Sequence, residues 1–236
     1  MIQNKILEHL KQFDELTRLE GGQFGGILGR AGVGKTAFLI QLSLLKLLKN
    51  IKVLHLSLNE PINKVCLWYE EVFKRLVENI EKQGDTVDIE INQIWEKALS
   101  QRFIMTFKED VFKIAVLEER LSDLFEQKIF SPDLIIADGF NFDDESIKDI
   151  LSELKNFATK KNLSVWFTIN IHRDEKPDEC GIPKQLSIGY DMFDSGIMLW
   201  PNKNEISVKI LDRENKKFET ESKLYLNPTT FLILNR

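Results

Sequence analysis

Residues 29–36, Gly29-Arg30-Ala31-Gly32-Val33-Gly34-Lys35-Thr36, match the pattern G-x-x-x-x-G-K-[ST] in full. A polyphosphate carries several negative charges that must leave water without being left unpaired. A glycine-rich turn meets that need by aiming consecutive backbone N–H groups into one concavity. On this reading residues 29 through Ala37 form the cradle, and Lys35 brings a point charge to the β and γ phosphates. The Thr36 hydroxyl is a hard oxygen ligand suited to Mg²⁺. Hydrolysis needs two further groups, an acid that helps hold the metal and a group that orients or deprotonates water. Asp138 closes the apolar run Leu134-Ile135-Ile136-Ala137 and is the candidate metal partner. Glu60, with Asn59 beside it, follows the run ending at Leu58 and is the candidate for the water; the same carboxylate would also suit the start of a helix.

These groups can act together only if strand ends bring them to one edge of a sheet. Residues 24–28 read as a short buried strand and 36–48 as a helix, the context the phosphate loop requires. Strand and helix signals then alternate. Strands are expected over 52–58, 102–107, 133–138 and 164–170, and helices over 62–80, 89–99, 110–127 (with Asp110 as N-cap) and 144–160. Residues 81–87 break the pattern. From Ser195 onward, segments 196–200, 206–211, 223–226 and 230–234 read as a β meander. The expected fold class is α/β, a mostly parallel sheet flanked by helices with a C-terminal antiparallel extension. One domain is expected over 1–236, comprising an N-terminal helix at 2–19, a core at 20–200 and β hairpins at 201–236.

Composition narrows the function. Hydrophobic residues make up 43% of the 236, enough to bury a core. Thirty-two Lys and Arg against 37 Asp and Glu give a formal net charge of −5, which argues against a dedicated nucleic-acid module. No signal peptide or membrane-spanning run is visible, so a cytoplasmic, soluble protein is expected. Cys66 and Cys180 lie in no metal-binding or disulfide pattern and read as free thiols. His172 lacks partners at metal spacing and reads as a loop histidine. Trp68, Phe73, Trp95 and Phe125 sit at helical spacings and read as packing residues.

Residues 13–22 before the loop, the loop itself, and Val53-Leu54-His55-Leu56-Ser57-Leu58-Asn59-Glu60-Pro61 after its helix together resemble the RecA-like ATPases, in particular their KaiC and DnaB branches. The resemblance implies ATP and Mg²⁺ as ligands, adenine as the base, and Glu60 as the catalytic glutamate. Asn59 stands where some members carry a second acid. Residues 165–173 are similar to the family's sensor strand, with Asn170 where a Gln is common, so Asn170 would contact the γ-phosphate or its water. Residues 191–200 resemble the penultimate core strand. In the hairpin that follows, Arg213 occupies the place of a residue acting on a neighbouring subunit's nucleotide, and Leu211 stands where a Lys is usual. Arg213 as a solvated turn residue is the competing reading, and Arg173 is likewise divided between loop sensor and surface ion pair.

The expected function is therefore a Mg²⁺-dependent ATPase working at the interfaces of a homo-oligomer, with a hexamer as one arrangement, to regulate an unidentified protein partner. Three alternatives stand beside it. One is a nucleotide-dependent binding module with little turnover, suggested by Asn59, Asn170 and Leu211. A DNA motor is disfavoured by charge, and a small-molecule kinase by the lack of an arginine-rich lid.

Overall fold

The computed structural model describes residues 2–81, 88–108, 111–172, 182–212 and 217–235. The chain runs α1 (Ile2–His9), α2 (Lys11–Leu16), β1 (Phe24–Gly29), α3 (Lys35–Leu48), β2 (Val53–Ser57), α4 (Ile62–Glu81), α5 (Asp88–Ser100) and β3 (Arg102–Thr106). It continues through α6 (Ile114–Glu126), β4 (Leu134–Asp138), α7 (Ile147–Lys161), β5 (Ser164–Asn170), the single turn α8 (Lys184–Ser187) and a 3-10 turn at Tyr190–Met192. It ends in β6 (Ser195–Pro201), β7 (Ile206–Asp212), β8 (Lys217–Leu226) and β9 (Ile233–Asn235).

All nine strands join one sheet in the order β3-β2-β4-β5-β1-β6-β7-β8-β9. Neighbours from β3 to β6 pair in parallel and those from β6 to β9 antiparallel. The parallel strands read as near-continuous apolar runs because both their faces are covered; every residue of β1 and β2 is buried. Alternation then sorts them between two cores. Ile27, Ile136, Trp166 and Ile197 pack towards α1–α5, whereas Leu28, Ile135, Phe167 and Met198 pack towards α6 and α7. Helix α3 is apolar nearly all round because it lies between the sheet and other helices, with contacts to α1, α2, α4 and α5. Three polar side chains tie it to its neighbours. Tyr69 Oη on α4 donates to Ser43 Oγ on α3 at 2.7 Å and pairs with His55 Nδ1 on β2 at 3.0 Å. Burial, reinforced by the Arg102 charge, pulls the His55 pKa down to about 3, so this is a neutral polar link.

Several boundaries differ from the sequence expectation. The helix expected over 2–19 is two helices joined at Leu10, whose fully buried side chain turns the chain into the core while Leu10 N still bonds Ile6 O at 3.0 Å. Helix α6 starts at Ile114 with Lys113 at its N-cap; Asp110 lies outside the described residues, as does most of the 81–87 break. Helix α7 starts at Ile147 because Asp144 Oδ1 accepts the Ser146 N–H at 2.7 Å, closing a local turn instead of helix. Segment 196–200 is no simple meander strand, since β6 pairs in parallel with β1. Strand β8 begins at Lys217, well before 223, and β9 begins only at Ile233 because Asn227 Oδ1 accepts the N–H groups of Thr229 and Thr230 in a turn.

Candidate active site

The phosphate loop leaves β1 and enters α3 through two glycines in the left-handed region, Gly32 at φ 77° and Gly34 at φ 93°. Gly34 is the α3 N-cap, and a Cβ there would lie 2.6 Å from the Phe231 ring. Lys35 is buried at 7% exposure, and its Nζ donates to the carbonyls of Gly29 at 2.9 Å and Arg30 at 2.8 Å. Burial pulls its pKa from 10.5 down to about 8, with the Asp138 charge acting the other way.

Asp138 closes β4 and receives two hydroxyls. Thr36 Oγ1 donates to its Oδ2 at 3.0 Å and Thr168 Oγ1, from β5, donates to its Oδ1. Its enclosure among strand ends pushes the carboxyl pKa up, and the negative charge of Glu60 adds to the rise. The two threonine hydroxyls and the Lys35 charge oppose it without cancelling it. A half-neutralised acid and a hydroxyl side by side fit a hard divalent cation that keeps several waters and is completed by phosphate oxygens. Among the described residues no cluster of three or more His, Cys, Asp or Glu could hold a metal without such help.

Glu60 is set by the strand end before it. Ser57 Oγ accepts the Glu60 N–H at 3.1 Å and donates to the Glu60 carbonyl at 3.2 Å, closing the turn that leads into α4. The Glu60 carboxylate receives Lys64 Nζ at 2.7 Å across one helical turn. Asn59 lies against the Gly139 backbone. Asn170 ends β5, in register with Gly29 and open to solvent.

One cavity of about 560 Å³ gathers these groups at the carboxyl edge of the sheet, within the usual size of a ligand site. Gly32, Gly34, Lys35, Thr36, Ala37, Asn59, Glu60, Asp138 and Asn170 all line it, as does Ala31. Three loop residues stand apart from its lining. Gly29 and Arg30 serve through the carbonyls that hold Lys35, and Arg30 extends its guanidinium over the Trp200 ring, 5.6 Å from the centroid. Val33 is buried, its Cγ1 filling the space beside Gly29. Arg213 and Arg173 lie outside the described residues.

The cavity continues away from the loop to a second chamber bounded by Ile40, Trp68, Val72 and Phe231, with Glu71, Arg75 and Thr229 at its margin. Its wall is made by the segment between β8 and β9. Gln41, fully buried on α3, donates Nε2 to the Phe231 carbonyl and accepts the Ile233 N–H at Oε1, both at 2.8 Å. Arg75 Nη1 donates to the Thr230 carbonyl at 3.2 Å. None of Thr168, Ser57, Gln41, Arg75 or Phe231 emerged from the sequence reading. Thr168 and Gln41 did leave a signal, as polar residues inside otherwise apolar runs.

Other expectations divide. Phe73 stacks on Trp95 with centroids 4.8 Å apart, as a packing pair should, but Trp68 lines the cavity and Phe125 is 64% exposed. The packing expectation fails for those two because each points off the apolar stripe of its helix. His172 Nε2 pairs with Asp143 Oδ2 at 2.6 Å. Cys66 is a free thiol, and Cys180 lies outside the described residues. No helix among the described residues is long and apolar enough to cross a membrane.

No protein-family model and no curated protein matches the chain. Among solved structures it is similar to one whose title describes an ATPase domain, with a TM-score of 0.68 over 97% of this chain and 90% of that chain. The fold is that of a RecA-like P-loop ATPase domain. Sequence identity is 14%, so the likeness speaks for the RecA-like architecture and leaves the chemistry to the residues of this chain.

Proposed function

We propose that the protein binds a nucleoside triphosphate, ATP by resemblance, and hydrolyses its terminal phosphoanhydride bond. One observation carries this reading: Lys35, Thr36, Asp138, Glu60 and Asn170, drawn from the loop and three separate strand ends, line a single cavity. Backbone N–H groups at the start of α3 would bind the phosphates. Lys35 would exchange its two loop carbonyls for β and γ oxygens, an exchange that relieves the cost of its burial. Thr36 and Asp138 would hold Mg²⁺, which when bound neutralises developing charge on the phosphates. Glu60 would orient water in line with the γ-phosphorus and draw off its proton, while Asn170 would hydrogen-bond the γ-phosphate or that water. The chamber between Trp68 and Phe231 would take the base.

The finer reading places the chain in the KaiC/DnaB-type branch, acting in the cytoplasm as a side-by-side homo-oligomer with Arg213 reaching a neighbour's nucleotide. Sizing the protein with and without Mg·ATP tests assembly; no nucleotide-dependent association would remove it. Phosphate release by wild type and Lys35→Ala tests hydrolysis, and equal rates would refute it. A second reading, a nucleotide-binding module with little turnover, is favoured by the Glu60–Lys64 pair, which occupies the proposed base. Tight ATP binding without phosphate release at any protein concentration would select it.

A further inference from the structure

We propose that Lys64 is a positioning residue of this site, which holds the Glu60 carboxylate at the phosphate end of the cavity and couples it to the Trp68 ring at the other end. The proposal rests on the reading of Glu60 as the group that orients water. Glu60, Lys64 and Trp68 follow one another at four-residue steps into α4, so their side chains share one face. Lys64 Nζ lies 2.7 Å from Glu60 Oε1 and 5.2 Å from the Trp68 ring centroid, one ammonium shared between an anion and a π face. Glu60 and Trp68 both line the cavity, and Lys64 backs them from outside it.

Two further observations separate this from an ordinary helix ion pair. Ser57 fixes the Glu60 backbone but does not touch its carboxylate, whose hydrogen-bond partner among the described residues is Lys64. The direction of the carboxylate is therefore set by Lys64. Helix α4 also carries a second pair of the same spacing, Lys74–Glu78 at 3.9 Å, away from the cavity and highly exposed. A purely helix-stabilising role would make the two pairs equivalent. A base stacked on Trp68 meets the ring that the ammonium covers, so occupancy of that chamber shifts Lys64 and with it Glu60. The helix face would thus report the presence of a base to the group acting on the γ-phosphate.

The test compares Lys64→Met, Lys64→Arg and the control Lys74→Met. For Lys64→Met, kcat for Mg·ATP should fall about tenfold with KM changed less than about threefold, the mark of lost orientation rather than lost binding. Lys64→Arg should recover most of kcat, and Lys74→Met should behave as wild type. Unchanged kcat in Lys64→Met, or an equal loss in Lys74→Met, overturns the proposal. A second arm needs no turnover. The emission of Trp68, taken as the difference between wild type and Trp68→Phe, should change on adding Mg·ADP, and both Lys64→Met and Glu60→Gln should alter that change. A Trp68 response identical in all of them overturns the coupling. Should wild type itself release no phosphate, the hydrolysis reading fails and the emission arm alone decides the role of Lys64.

Discussion

Replacing Lys35 with Met should remove a rise in stability that the ligand-free wild type shows between about pH 8 and pH 10.5. Lys35 keeps its proton in the unfolded chain up to about 10.5 but in the folded protein only up to about 8. Between those values the unfolded chain binds more protons, so stability increases with pH; below about 8 both states are charged and the full cost of burying the ammonium is present. The gap converts at about 1.4 kcal/mol per pH unit to roughly 3 kcal/mol. Hydrogen bonds from Nζ to the Gly29 and Arg30 carbonyls favour the charged form, so the realised rise should be nearer 2 kcal/mol, each such bond being worth about 1 kcal/mol net. Urea unfolding followed by circular dichroism from pH 7.5 to 10, in wild type and Lys35→Met, isolates the effect, because other titrating groups cancel in the difference. Saturating Mg·ATP should abolish the rise, since phosphate oxygens keep Lys35 protonated. A difference between the two proteins that stays constant across the range would refute the account of Lys35 as a buried cation awaiting an anion.

Other consequences can be measured alongside. Asp138→Asn should leave the ligand-free melting temperature unchanged or higher, because it removes a carboxyl that burial makes costly; Mg²⁺ should then add nothing to the nucleotide-induced rise in Tm, and phosphate release should fall about 100-fold or more. Gln41→Leu strands the Phe231 carbonyl and the Ile233 N–H, a loss of about 2 kcal/mol. Calorimetry should show Tm lower by about 4–8 °C and weaker nucleotide binding. Burial alone would raise the Asp14 pKa, but hydrogen bonds and charge from Lys46 and Lys49 hold it below the usual carboxylate range. The stability it adds is present above about pH 4 and is lost as pH falls through the lower folded value. Urea midpoints of Asp14→Asn between pH 3 and 6 should show a flatter acid limb than wild type.

What the sequence made legible was local. The phosphate loop is a contiguous motif with a strand before it and a helix after it, and strand ends such as Asp138 and Asn170 follow from where an apolar run stops. The site depends equally on relations that no spacing encodes. Thr168 meets Asp138 because β4 and β5 pair with Ala137 opposite Phe167, a register set by the whole sheet. Phe231 meets the loop because Gln41 holds it across 190 positions of chain. The break at Leu10 escaped the helical pattern because burial, not propensity, decides it.

The docking of residues 227–233 onto α3 has a bearing on how the protein is made. A ribosome delivers the phosphate loop long before this segment, so the parallel strands can pair while the wall of the second chamber is still unmade. Contacts of such long sequence separation carry a large closure entropy and tend to form late. Nascent chains stalled before residue 227 should accordingly bind a fluorescent nucleotide far more weakly than chains stalled beyond residue 235 with the segment clear of the exit tunnel. Equal binding by both would show that the wall is dispensable.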